Sequence, residues 1–486
     1  MLRLYAARFR LGFIALALWL FSTGLAAFDE SGLPSLSTSA TQAAGDEEHR
    51  LGRAWLRQFR AQAPEWQDPI TQAYIETLIA RLLPHSSLGD IRTSVVLVDS
   101  PSLNAFAVPG GIIGVNAGLF AFADEEGAFV SVLAHELGHL SQRHYARGTA
   151  RAEQTQFPAM AAMLAGMVIA ASGGGQAGLA AAVSSQAALI QDQLTYSRRF
   201  EQEADRVGLQ AMASAGFDPE SMVQMFRAMQ RMASLQGGTP PEFLLTHPVS
   251  ESRLSDAQAR ASQLSHSATQ DNEPHYSLLR ARALYHIHQS NPQQAASRLA
   301  ENGDDNGFAK RYLEALTQAG AGRTDSALQQ LDRLARELPD LTMLPASAAE
   351  VALKARRYDE AIERSRRLLR WVPDYLPAQM FLAEALLQND PNEAYRVLRD
   401  ITQRYPENPQ AFSFRAEAAG RSGKEAWGHI ARAEYLQLTG RIDRGIHQLA
   451  IAKDVAQQQN DQQALGRIEQ RREDFITYRE TMEKFE

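Results

Sequence analysis

One octapeptide constrains this chain more than any other stretch: Val132-Leu-Ala-His135-Glu136-Leu-Gly-His139. Phe129, Val130, Val132, Leu133, Leu137 and Leu140 recur around it at near-helical spacing, with no proline in the run, which predicts a helix. On that helix His135 and His139 lie one turn apart and project from the same face. Two imidazoles so placed can hold one Zn²⁺ per chain, with Glu136 beside them to take a proton from water.

A second helical run, Arg199-Phe-Glu201-Gln-Glu203-Ala-Asp205-Arg-Val-Gly208, supplies acids. Glu201 is the expected third ligand, because a carboxylate from a second helix completes a His₂Glu catalytic site and leaves a fourth position open. Glu203 is the less suited alternative, since Glu201 is the residue one turn before Asp205. Asp205 is expected to accept the outer N–H of a ligand histidine and fix its tautomer. Further on, Leu245-Thr246-His247-Pro248 forms a loop entering Ser250-Glu-Ser-Arg253. His247 has three readings: a fourth metal ligand that displaces the catalytic water, a transition-state group, or a loop anchor. Arg253 either donates to the charged tetrahedral intermediate or braces the acidic helix.

The chain has 486 residues, 45% of them hydrophobic, enough for two or three packed domains. Its formal net charge is −7, and residues 1–27 hold Arg3, Arg8 and Arg10 but no acid. An acidic remainder without a basic block argues against nucleic acid as partner. Those first 27 residues read as a cleavable signal peptide: a positive region, an apolar core from Leu11 to Phe21, then small residues to Ala27. An uncleaved anchor is the alternative, but the apolar core is short for a spanning helix. With no cysteine, the chain forms no disulfide and carries no lipid on a cysteine. A periplasmic location is expected.

Residues 28–47 are rich in Ser, Thr, Gly and Ala and suggest a flexible leader. A helix is expected from Glu48 to Gln62, and an amphipathic one after Asp68-Pro69 that covers the catalytic core. Ser94 to Asp99 reads as a buried strand. Ala105–Val108 and Ile112–Asn116 flank Pro109-Gly110-Gly111 as a hairpin. Such a strand beside a metal helix is either ordinary sheet or an edge on which an extended substrate pairs, with Asn104, Ala105, Phe106 and Ala107 as the binding residues. Between the two metal helices, Gln154 to Gln191 carry no charge and centre on Ser172-Gly-Gly-Gly175. A packed helical hairpin, a mobile lid and a membrane-contacting element are the competing readings. Pro219 opens another helix, with Met222, Met225, Phe226 and Met229 on its apolar side.

Past a polar stretch the composition turns to Ala, Leu, Arg and Gln with helical periodicity. Asn291-Pro-Gln-Gln-Ala295, Arg323-Thr-Asp-Ser-Ala327, Arg357-Tyr-Asp-Glu-Ala361 and Asp390-Pro-Asn-Glu-Ala394 recur at a period of about 33 residues, the mark of tetratricopeptide repeats. A further unit, Gly440-Arg-Ile-Asp443, falls out of phase. The expected organisation is a signal peptide (1–27), a leader (28–47), a zinc metallopeptidase domain (48–262), a linker (263–273) and a repeat domain (274–486). The expected fold is mainly α: a helical α+β catalytic domain with a small sheet, then an α-solenoid whose concave side is open to a protein partner.

The motif at His135–His139, Glu201-Gln-Glu-Ala-Asp205, the Asn104-Ala-Phe-Ala-Val-Pro-Gly-Gly hairpin and Thr246-His-Pro together resemble the gluzincin-type peptidases related to the CAAX-prenyl protease and HtpX. The resemblance implies zinc at His135, His139 and Glu201, and Glu136 as catalytic base. For a secreted member with repeats it implies unfolded or stalled outer-membrane proteins as clients and that membrane's assembly machinery as partner through the repeats. A zinc endopeptidase with chaperone-like activity is the expected function. The rival is a non-proteolytic assembly chaperone or scaffold with a closed, structural zinc site, which the repeats and His247 favour.

Overall fold

The computed structural model of the chain describes residues 36–88, 93–151, 197–235, 242–265, 273–300 and 307–483. The stretch read as a signal peptide (1–27), the uncharged insert at 154–191 and most of the expected linker (263–273) lie outside them. Residues 48–486 form one compact unit and residues 1–47 another. The first described helix runs Leu36–Gln62, so part of the stretch expected as a flexible leader is helical. Ala40, Gln42, Ala43, Ala44 and Glu47 are good helix formers, and they outweigh the Ser and Thr around them.

Asp68 caps the next helix, Pro69–Leu82, its Oδ1 accepting from the N–H groups of Ile70 and Thr71. That helix buries Ile70, Tyr74, Ile75, Leu78, Ile79 and Leu82. Three strands follow: β1 (Ser94–Val98), β2 (Ala105–Val108) and β3 (Ile112–Asn116). β2 and β3 form the expected antiparallel hairpin, while β1 pairs with β3 in parallel, giving the order β1-β3-β2. β2 is therefore an edge strand, and it lies against the motif helix, Glu126–Ser141. Every residue of that helix from Phe129 to Gly138 is buried, the polar residues Ser131, His135 and Glu136 included.

A helix over residues 197–214 crosses the motif helix at backbone contact. A Cβ on Gly138 would sit 2.6 Å from the carbonyl oxygen of Ala204, and one on Gly208 would sit 3.1 Å from that of Ala134. Glycines at both crossing points let the axes approach closely enough to bring the acids of one helix to the imidazoles of the other. Helices Glu220–Leu235, Glu242–Thr246 and Glu251–Ala261 complete this part.

Twelve described helices follow, from Glu273–Ile287 to Gln462–Glu483, each packed on its sequence neighbours. Ala295, Ala327, Ala361 and Ala394 are fully buried at equivalent points of the second helix of each pair, and Ala426 continues the series. The small side chain at these points lets adjacent helices close up. The out-of-phase stretch at Gly440 is the junction where Glu425–Leu438 ends and Ile442–Gln458 begins. Gly440 is left-handed (φ +74°), and a Cβ there would collide with the carbonyl of Arg57.

That collision marks how closely the repeats embrace the rest of the unit. At one end, Tyr276 donates its hydroxyl to the carbonyl of Ala123, Arg280 pairs with Asp124, and the His286 ring stacks on Trp66 at 4.6 Å. At the other, Arg57 donates to Gln437 Oε1 (2.7 Å) and lies over the Tyr478 ring, and Arg60 donates to the carbonyl of Glu407. In between, Met343–Lys354 and Leu376–Asn389 pack on Pro69–Leu82. Pro69–Leu82 thus covers the part of the array formed by these two helices. Among the described residues no helix is long and apolar enough to cross a membrane.

Arg282 is buried at this junction and bonds Asp68 (Nε to Oδ2, 2.5 Å) and Glu350 (Nη2 to Oε2, 2.7 Å). Burial opposes ionisation of Glu350, but the charges of Arg282 and Lys354 outweigh it and hold the carboxyl at about 2. A depressed pKa gives stability that is complete above the ordinary value of 4.5 and is lost as pH falls toward about 2. Arg282→Met is expected to cost about 3–5 kcal/mol in urea unfolding at neutral pH, because two carboxylates stay buried without their partner. A second variant tests the crossing: Gly138→Ala should cost about 1–3 kcal/mol by overpacking and lower the metal content of the purified protein.

Candidate metal and active site

Four side chains from three segments converge. His135 and His139 come from the motif helix, Glu201 from the helix at 197–214, and His247 from the end of Glu242–Thr246. One ligand atom of each lies within 4.8 Å of all the others. His135 Nε2 is 3.0 Å from His139 Nε2 and 3.3 Å from His247 Nδ1, which in turn lies 3.1 Å from Glu201 Oε1. His139 Nε2 is 3.3 Å from that same oxygen. Three imidazole nitrogens and a carboxylate aimed at one point are a donor set that fits a divalent metal ion.

The outer atoms of these groups are also fixed. Asp205 Oδ1 accepts from His135 Nδ1 at 2.9 Å. Arg253 donates Nε and Nη2 to the two oxygens of Asp205, both at 2.7 Å, and Nη1 to the carbonyl of Pro248 at 2.8 Å. Its Nη1 also lies 2.9 Å from Glu201 Oε2, so the guanidinium joins both acids to the loop that carries His247. Glu203 lies outside the cluster and takes hydrogen bonds from His144 and Arg147.

Electrostatics separates the two motif histidines. Burial alone would lower His135, but its bonds to Asp205 and Glu201 carry it up to about 10. Burial dominates at His139 and lowers it to about 3. Although burial opposes it, the surrounding imidazoles of His135, His139 and His247 hold Glu201 far below the usual carboxylate range.

Glu136 is almost fully buried, which raises its pKa, with the His247 and His135 charges pulling the other way. The backbone N–H of Ala107 donates to it, and its Oε1 has no hydrogen-bond partner; His247 Nε2 is the near neighbour at 3.6 Å. A buried acceptor left free beside a cluster of metal-type ligands is suited to hold a proton in transit.

The edge-strand residues are placed as follows. Asn104 is buried, and its carbonyl accepts from the N–H of Asn116. Ala105 and Ala107 pair across the hairpin with Val115 and Ile113. The Phe106 ring packs on Trp55 and Phe59. Sequence reasoning missed Gly138, Gly208, His144 and Arg147. A glycine inside each metal helix was a readable sign of close approach, whereas the His144–Glu203 contact is purely tertiary.

A sequence profile described as Peptidase family M48 matches residues 69–261, and a tetratricopeptide-repeat profile matches residues 352–418. The chain is 33% identical over 450 residues to the beta-barrel assembly-enhancing protease of Escherichia coli (strain K12), covering 91% of this chain and 90% of that one. The Yersinia pestis protein of the same name is 31% identical over 448 residues, again 91% and 90% of the two chains. Mitochondrial metalloendopeptidase OMA1 of Schizosaccharomyces pombe is 29% identical over 184 residues, 38% of this chain and 51% of that one. With a metal-type cluster, an M48 match and near full-length similarity in hand, the chain belongs to the family of beta-barrel assembly-enhancing proteases, metallopeptidases that carry tetratricopeptide repeats.

Proposed function

We propose that this protein is a zinc-dependent endopeptidase of the periplasm, acting on outer-membrane β-barrel proteins during their assembly, with a resting site that His247 holds shut. The observation that carries the reading is the convergence of His135, His139, Glu201 and His247 beside a buried Glu136 with a free oxygen. The names of the long relatives support the substrate class. The signal-like first 27 residues support the compartment.

His135, His139 and Glu201 would hold the zinc. Bound there, it polarises a peptide carbonyl and makes water nucleophilic near neutral pH. Glu136 takes the water's proton at Oε1 and delivers it to the leaving nitrogen. Asp205 holds His135 in its working tautomer, and Arg253 acts through Asp205 and Glu201 as a positioning residue. An extended client pairs its backbone with the β2 edge at Asn104–Ala107, which selects for unfolded segments rather than for particular side chains. The repeats carry the contact with the outer-membrane assembly machinery. The organisation 1–27, 28–47, 48–262, 263–273 and 274–486 remains our reading of the domains.

His247 favours a second reading, a non-proteolytic assembly factor with a closed site. Its Nδ1 sits among the other ligands, and with it the site is four-coordinate, as structural zinc sites are. Both readings are tested on an unfolded model protein. Glu136→Gln should keep its metal and lose about 100-fold or more in cleavage rate. His247→Ala should cleave about 10- to 1000-fold faster than wild type, as removing a gate that leaves about 0.1–10% of the molecules open requires. Wild-type rates in Glu136→Gln would contradict the mechanism. Slower cleavage by His247→Ala with its metal intact would contradict the gate, and no cleavage by any of the three would favour the assembly factor.

A further inference from the structure

The two motif histidines are held from behind by different devices. His135 has the short one, a buried Asp205 clamped by Arg253. Behind His139 stands a longer chain. Its Nδ1 lies 2.9 Å from Nδ1 of His144, whose Nε2 lies 3.1 Å from Glu203 Oε2. Arg147 donates Nη1 to the same Glu203 oxygen at 2.7 Å. His144 is buried, stacked on Phe200 at 4.2 Å with an interplanar angle of 19°, and the Arg147 guanidinium lies over the same Phe200 ring at 4.8 Å.

Two bare ring nitrogens at 2.9 Å would repel, so a proton must lie between His139 and His144. As a metal ligand His139 presents a bare Nε2 to the cluster, which puts its one proton on Nδ1. His144 therefore accepts at Nδ1 and carries its own proton on Nε2, where Glu203 accepts it. Arg147 in turn fixes the carboxylate. Each link determines the next, and with both imidazoles neutral only this direction satisfies all three contacts.

We infer that His144, Glu203 and Arg147 form a positioning relay that fixes the tautomer and ring orientation of His139 for metal binding, the counterpart of Asp205 and Arg253 behind His135. The relay also differs in exposure. The side chains of Glu203 and Arg147 are 37% and 40% exposed, against 3% and 4% for Asp205 and Arg253. His139 is thus the ligand whose support reaches solvent, and the one more easily loosened. The inference rests on reading His139 as a metal ligand.

The test is zinc affinity of the purified full chain by chelator competition, with the visible spectrum of the cobalt-loaded protein as a second readout. His144→Phe keeps a ring on Phe200 but removes the acceptor, and it should bind zinc about 10–100-fold more weakly, with an altered cobalt spectrum. His144→Gln can accept from His139 and donate to Glu203, and it should recover most of the affinity. Glu203→Ala should weaken binding less than His144→Phe does. Wild-type affinity in His144→Phe would overturn the relay, as would an equal loss in His144→Phe and His144→Gln, which would mark a merely structural role. His139→Ala separates the levels: if it too binds zinc normally, the metal-site reading itself fails.

Discussion

Everything in the catalytic half depends on two helices touching backbone to backbone. At Gly138 and Gly208 there is no room for a side chain, and Ala134 and Ala204 face those glycines across the crossing. Helices separated by ordinary side chains sit about 8–10 Å apart, too far for short acids to reach ring nitrogens on the neighbouring axis. The close crossing lets Glu201 meet His139 and lets Asp205 meet His135 with normal hydrogen-bond lengths. It also buries those acids. A buried carboxylate is tolerated only when paired, which explains why Arg253 turns all three of its nitrogens to Asp205, Glu201 and Pro248.

The second dependency runs from the site to the repeats. The motif helix and Pro69–Leu82 share one hydrophobic core with the first repeat helices, through Phe129, Phe120 and Tyr276. Arg282 ties the N-cap residue of Pro69–Leu82 to Glu350, two helix pairs further along the array. The repeat array is therefore a wall of the same body.

Much of this was legible because the signals were local. The hairpin Ala105–Asn116, the motif helix and the buried alanines of the repeats follow from alternation, helical spacing and a 33-residue period. That His135 and His139 share a helix face, as do Glu201 and Asp205, could be read for the same reason: one turn of helix separates the members of each pair. Contacts that join distant segments were not legible. No pattern in Ser94–Val98 says that it pairs in parallel with β3 and leaves β2 at the edge. Arg57 gives no hint of Gln437, nor Gly440 of Arg57, because both depend on how the whole array curves back. His144 reads in isolation as one more surface histidine, and only the fold turns its ring toward His139.

The central claim is that His135, His139, Glu201 and His247 form one metal centre with His247 as the closing ligand. X-ray absorption at the zinc edge tests it most directly, on wild type and His247→Ala, alongside metal analysis. The account predicts one zinc per chain, bound by three imidazoles and a carboxylate in the wild type and by one imidazole fewer in the variant. Identical spectra from the two proteins, or no stoichiometric metal in the wild type, would contradict it.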